Sequence, residues 1–152
     1  MTVYRVSRTK RATDITGEGS RLNGGRWNHK LTPCIYTSEN RALAILEYTV
    51  NTNIEEIPRR LSLIIFEISD TEIYEVSEKD LPGNWKENPT PSSTKDFGTA
   101  LLKSLPQPVI KIPSVVVSEE FNLLLNPLHI NNKVFKLINI KDFVYDLRIK
   151  SS

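Results

Sequence analysis

Cysteine occurs once and histidine twice in these 152 residues. A single thiol, Cys34, closes no internal disulfide, and a chain of this length has enough core not to need one. A reducing, cytoplasmic setting fits. His29 and His129 have no companion cysteine, so a zinc site would need carboxylates that the spacing does not announce. Long apolar runs are missing too. The longest, Leu61 to Ile68, is interrupted by Ser62 and Glu67, and the opening Met1-Thr-Val-Tyr-Arg5 has no signal-peptide core. The expectation is a chain that neither spans a membrane nor is exported. An excess of one charge is equally absent: 20 Lys and Arg face 18 Asp and Glu, a net +2. Overall charge therefore makes no case for a nucleic-acid or membrane-surface protein.

What charge there is lies unevenly. Residues 1–30 carry Arg5, Arg8, Lys10, Arg11, Arg21, Arg26 and Lys30 against Asp14 and Glu18, whereas 39–80 are predominantly acidic. The basic end is where an anionic ligand would sit. No repeat, heptad or low-complexity tract appears, and the Pro/Ser patch at Asn88–Ser93 is too short to separate two cores. Residues 1–152 read as one domain.

Thr2–Val6 alternates as a short strand, and the polar, glycine-bearing stretch Thr9–Gly25 reads as a surface excursion closing on an Asn23-Gly24 turn. Pro33–Thr37 follows as a second strand. Ser38 is a candidate N-cap with Glu39 in the first turn of a helix over Ala42–Val50. After Pro58, Leu61–Ile68 and Glu72–Val76 suggest a strand pair around Ser69-Asp70-Thr71. Leu81–Ser93 is irregular, and Thr94 can cap a helix whose apolar side is Leu101, Leu102 and Leu105. Val109–Val117 and Val134–Ile140 are the remaining strands, Asn126-Pro127 a turn, and Asp142–Arg148 an ambiguous terminal helix. Strands and helices that do not alternate regularly predict an α+β fold with a mainly antiparallel sheet.

Familiar motifs fail. Gly17-Glu-Gly19 opens like a dinucleotide fingerprint but lacks the third glycine and the strand-to-helix setting, and there is no P-loop. Glu47 is more informative, because helical geometry puts it inside the stripe formed by Leu43, Leu46 and Val50. An acid there is a partly exposed edge residue, half of a buried pair with an arginine, or a carboxylate aimed at a ligand cleft. In Gly24-Gly25-Arg26-Trp27-Asn28 the arginine offers a planar fork to a phosphate or carboxylate, unless the run is only a hairpin rim. Trp27 reads as core. Ser114 reads as a satisfied polar residue in a β-branched strand.

Taken in order, the run Ile15–Asn28, Ile35-Tyr-Thr-Ser38 leading into Ala42–Glu47, Ile112–Val117 and Asn122–His129 closely resembles the RES-domain family over about residues 3–147. The family's name comes from an Arg, a Glu and a Ser, matched here by Arg26, Glu47 and Ser114. The resemblance implies an ADP-ribosyltransferase-like fold and the toxin of a bacterial toxin–antitoxin pair, with NAD+ as substrate and no resident cofactor. It implies cleavage of the nicotinamide–ribose bond by phosphorolysis, with inorganic phosphate as co-substrate, or by hydrolysis. Two other readings remain: mono-ADP-ribosylation of a protein, and a non-catalytic nucleotide- or antitoxin-binding module. The implied partner is an Xre-type helix-turn-helix antitoxin, with a homodimer and a larger complex as further expectations. The implied site is Arg5, Arg26, Tyr36, Glu47 and Ser114, with Asn122. In it Glu47 holds the ribose and stabilises the developing cation, Arg5 and Arg26 clamp the pyrophosphate, and Tyr36 stacks on nicotinamide or ribose. Ser114 fixes the nicotinamide side or braces Glu47. Ile130, where many relatives have Pro, is a departure confined to one turn.

Overall fold

The computed structural model describes residues 1–70, 73–129 and 134–150. Seven strands form one sheet: β1 (Thr2–Ser7), β2 (Ile35–Ser38), β3 (Arg60–Ile68), β4 (Ile73–Glu75), β5 (Val109–Pro113), β6 (Phe121–Leu125) and β7 (Phe135–Val144). Their order across the sheet is β4-β5-β6-β2-β1-β3-β7, and every pairing is antiparallel except β4 with β5. Three α-helices accompany it, α1 (Glu18–Asn23), α2 (Arg41–Val50) and α3 (Ser92–Ser104). The α+β, mainly antiparallel architecture expected from the sequence is the one observed.

Strand alternation divides the apolar residues between two faces. On one, Val3, Ile35, Ile64, Phe66, Val109, Leu123 and Leu125 form a continuous buried cluster. The opposite face carries two separate clusters. Ile110, Ile112 and Leu124 pack with Trp27, Trp85 and Leu102, near α3. Val6, Leu61 and Leu63 pack with Ala44 of α2 and with Tyr145. Between these two patches the sheet is split. Tyr4 opposite Ser38 is the one register pair joining β1 to β2, whereas β1 pairs with β3 from Thr2 to Ser7. Beyond Tyr4 and Ser38 the two strands part, and the gap between the clusters becomes a cleft.

Several local expectations give way to longer-range contacts. Ser38 ends β2 instead of capping α2. The cap is Asn40, whose side-chain oxygen accepts from the Leu43 amide. Glu39 accordingly lies outside the first turn, and its carboxylate accepts from the Phe121 amide. Val50 is 55% exposed, so the buried side of α2 runs through Leu43, Ala44 and Thr49 instead. The stretch Thr9–Gly25 includes the short helix α1 before Gly24.

The strand pair expected between 61–68 and 72–76 does not form. β4 pairs in parallel with β5 at the far edge, while Thr71 and Glu72 lie outside the described residues. Helix α3 starts at Ser92 after Pro91, which places Thr94 inside it and not at its cap. β5 stops at Pro113, leaving Ser114 just past the strand, and β6, between β5 and β2 in the sheet, is not among the expected strands. Asp142–Val144 belong to β7, and a short 3-10 turn at Leu147–Ile149 stands where a terminal helix was open. Ile130 lies outside the described residues.

Candidate active site

Glu47, on the second turn of α2, faces the split. One of its oxygens, Oε1, accepts two hydrogen bonds, from Ser114 Oγ and from Asn122 Nδ2, each at 2.8 Å. Oε2 has no hydrogen bond among the described residues, which leaves one oxygen held and one available to a ligand. Both donors are far from Glu47 in the chain, one just past β5 and the other the second residue of its neighbour β6. Ser114 is buried, and its Oγ also accepts from the amides of Val116 and Val117, so the turn after β5 fixes the hydroxyl in place. This corrects its reading as a sheet residue and explains its polarity. Asn122 in turn accepts at Oδ1 from Ser38 Oγ at 2.7 Å.

A cleft of about 600 Å³ lies beneath Glu47, and Arg5, Arg26, Tyr36 and Asn122 line it too. Ser114 does not line it and reaches it through Glu47. A pocket of this size suits a cofactor- or nucleotide-sized ligand. Arg26 sits on the loop after α1, where its Nη1 donates to the carbonyls of Trp85 and Glu87 at 3.0 and 3.1 Å. One edge of the guanidinium is thus tethered, and its remaining N–H groups have no partner among the described residues. Burial pushes the Arg26 pKa down, and the charge of Glu47 opposes that shift. Arg26 and Glu47 feel one another across the cleft, yet no ion pair joins them. The buried Arg–Glu pair that would have explained Glu47 structurally is therefore not what holds it.

Tyr36 presents its ring to the cleft while its hydroxyl is committed elsewhere. The oxygen accepts from the Trp27 amide at 3.0 Å and donates to Asn28 Oδ1 at 2.5 Å. Burial holds its pKa well above the usual tyrosine value. Asn28, fully buried, completes the brace by donating from Nδ2 to the carbonyls of Ser20 and Thr32 at 2.9 and 2.8 Å. Gly25 is required in this arrangement, because a Cβ there would stand 2.6 Å from the Tyr36 oxygen. The loop carrying Arg26 is in this way locked against the strand carrying Tyr36. Arg5, on β1, stands at the other lip of the split. Burial lowers its pKa, Asp14 opposes that shift, and its guanidinium makes no hydrogen bond among the described residues.

The residues singled out from sequence therefore converge. Two that were not singled out, Asn28 and Ser38, position them. Asn28 closes the glycine-rich run, and Ser38 has the composition of a helix cap, which masked its tie to Asn122. Among the described residues no His, Cys, Asp and Glu group is arranged to hold a metal, and no helix is long and apolar enough to cross a membrane.

Comparison with known proteins bears on the family and the fold. A family model described as the RES domain matches residues 2–146. A protein called Toxin Res from Yersinia enterocolitica is 36% identical over 152 residues, covering 99% of this chain and 100% of that protein. A protein called Prs ADP-ribosylating toxin from a Sphingobium species is 35% identical over 147 residues, 94% of this chain and 91% of its own length. In fold, the chain is similar to the crystal structure of the M. tuberculosis MbcT–MbcA toxin–antitoxin complex, with a TM-score of 0.74 at 19% identity, over 94% of this chain and 84% of that one.

Proposed function

The chain belongs to the RES-domain family, and from that premise we propose that it is the toxin of a toxin–antitoxin pair, breaking the nicotinamide–ribose bond of NAD+. The observation that carries this reading is the carboxylate of Glu47, pinned by Ser114 and Asn122 in the same cleft as two guanidinium groups not engaged in ion pairs.

Breaking that bond builds positive charge on the ribose in an oxocarbenium-like state. A fixed carboxylate is suited to stabilise it, because preorganised charge needs no rearrangement as the bond breaks. In this role Oε1, held by its two donors, keeps the group in place while Oε2 meets a ribose hydroxyl. Arg26 and Arg5 grip the pyrophosphate through planar forks. The Tyr36 ring offers a flat apolar surface to nicotinamide or ribose. Nicotinamide departs neutral, so the leaving group requires no strong acid. Phosphate or water then takes the ribosyl carbon, giving ADP-ribose 1″-phosphate or ADP-ribose.

The test is NAD+ loss followed with and without inorganic phosphate. Wild-type protein is expected to release nicotinamide, and Glu47→Gln to do so on the order of 10²-fold more slowly with its fold retained. Undiminished release by that variant removes Glu47 from the chemistry. A second reading draws on the name of the Sphingobium relative, which describes an ADP-ribosylating toxin. Labelled NAD+ in a cell lysate separates the two, since transfer leaves label on a protein band and cleavage leaves it in small products. An Xre-type antitoxin would silence the protein by covering the cleft. Expression without that partner is expected to be toxic, and Arg26→Ala to abolish the toxicity.

A further inference from the structure

A second hollow, of about 370 Å³ and largely open to solvent, abuts the cleft and shares Arg5, Val6 and Tyr48 with it. Its charged walls are Arg5, Arg8, Lys10 and Arg11, with no acid among the described lining residues. None of the four is ion-paired among the described residues. Asp14 acts on Arg5 electrostatically without lining the cavity, and Arg11 opposes the charge on Arg5. One of the cations is tethered by the fold: Arg8 donates to the Glu56 carbonyl at 3.0 Å, while Arg11 lies over Gly19.

Four like charges around one hollow repel one another until an anion joins them, and a phosphomonoester, with a charge of roughly −1.5 to −2 at neutral pH, answers that arrangement best. Its position relative to the cleft says which phosphate. The argument rests on the reading above, in which Glu47 takes the nicotinamide ribose and Arg5 the pyrophosphate. The cavity shares Arg5 with the cleft, so a dinucleotide whose pyrophosphate lies on Arg5 and whose adenosine runs away from Glu47 brings to it the ribose at which NAD+ and NADP+ differ, by the 2′-phosphate. We propose that the Arg5–Arg8–Lys10–Arg11 cavity receives the 2′-phosphate of NADP+, so that the protein binds and cleaves the phosphorylated dinucleotide in preference to NAD+. The bond broken is the same, and the 2′-phosphate takes no part in it.

The probes are 2′,5′-ADP and 5′-ADP, titrated into wild-type protein by calorimetry, together with kcat/KM for NADP+ and NAD+. The 2′-phosphorylated nucleotide is expected to bind at least about ten times tighter at low salt, with the advantage shrinking as salt screens the cavity. In Lys10→Gln/Arg11→Gln, whose two positions are exposed, that advantage and the NADP+/NAD+ ratio of kcat/KM are both expected to fall by on the order of tenfold, with an unchanged Tm confirming the fold. Equal binding of the two nucleotides overturns the proposal. So does inorganic phosphate competing as strongly as 2′,5′-ADP, which would make the cavity a site for free phosphate. Discrimination between the nucleotides without cleavage of either dinucleotide would leave this site standing and sink the catalytic reading instead.

Discussion

Asn122 sits between two groups that decide which way its amide points. A carboxylate only accepts hydrogen bonds, so the NH2 end must face Glu47, and the carbonyl end then faces the Ser38 hydroxyl, which must donate. Ser38 is 3% exposed and stands where β1, β2 and β6 meet, opposite Tyr4 on one side and Asn122 on the other. Removing its hydroxyl leaves the Asn122 carbonyl without a partner and lets the amide turn its oxygen toward the carboxylate. Ser38 is thus a positioning residue that acts on the reaction through Asn122. Ser38→Ala is expected to lower kcat for nicotinamide release by on the order of 10-fold, the usual cost of a lost orienting contact, with KM little changed. Ser38→Thr, which keeps the donor, is expected to restore it. A rise in KM at constant kcat would show instead that the serine serves binding alone.

At the scale of elements, the loop bearing Arg26 and Trp27 is pressed against α3. Gly98, in the middle of that helix, allows the approach, because a Cβ there would lie 2.0 Å from the Trp27 carbonyl oxygen. Trp27 is itself 2% exposed and packs against Trp85 at a tilt and edge-to-face with Phe97. Gly98→Ala therefore has to push α3 off the loop. It is expected to cost about 3 kcal/mol in urea unfolding, at the upper end of overpacking, despite the better helix propensity of alanine. A stabilised Gly98→Ala protein would refute the contact. The same elements show what was readable from sequence. β1, β2 and β3 announce themselves by β-rich runs, and α2 by good helix formers. β6 does not, because Phe121-Asn-Leu-Leu-Leu125 is buried on both faces, with Leu123 and Leu125 in one cluster and Leu124 in another, so it lacks alternation. α1 is six residues long, too short to be signalled by propensity. Ser38 and Asn40 are both good caps, and only the pairing of β2 with β6 decides between them. The site residues were legible as a linked set of motifs, whereas the Ser114–Glu47–Asn122–Ser38 chain depends on pairings between distant strands that local pattern cannot express.

For the molecule as a whole, the fold buries two weak acids beside the cleft, and this sets a pH limit. Cys34 is 1% exposed, and burial pushes its thiol pKa far up, with the Arg5 charge only partly opposing. Tyr36 is shifted in the same direction, again first by burial. In the unfolded chain these groups ionise near about 8.5 and 10. Between those values and the raised native ones the unfolded state has already lost protons that the native state keeps, so it binds fewer, and unfolding becomes easier as pH rises. The stability both groups contribute is fully present at neutral pH and is lost on the alkaline side. Each can contribute a slope of up to about 1.4 kcal/mol per pH unit within its window. Urea midpoints measured from pH 7 to 10.5 are expected to fall, beginning near the thiol value. The decisive comparison is Cys34→Ala, which removes the thiol and leaves every other titratable group in place. That variant is expected to be less stable at pH 7 and to lose stability less steeply between pH 8 and 10. Parallel curves for the two proteins would mean that the native thiol titrates as it does in the unfolded chain, and that Cys34 is not sealed from solvent.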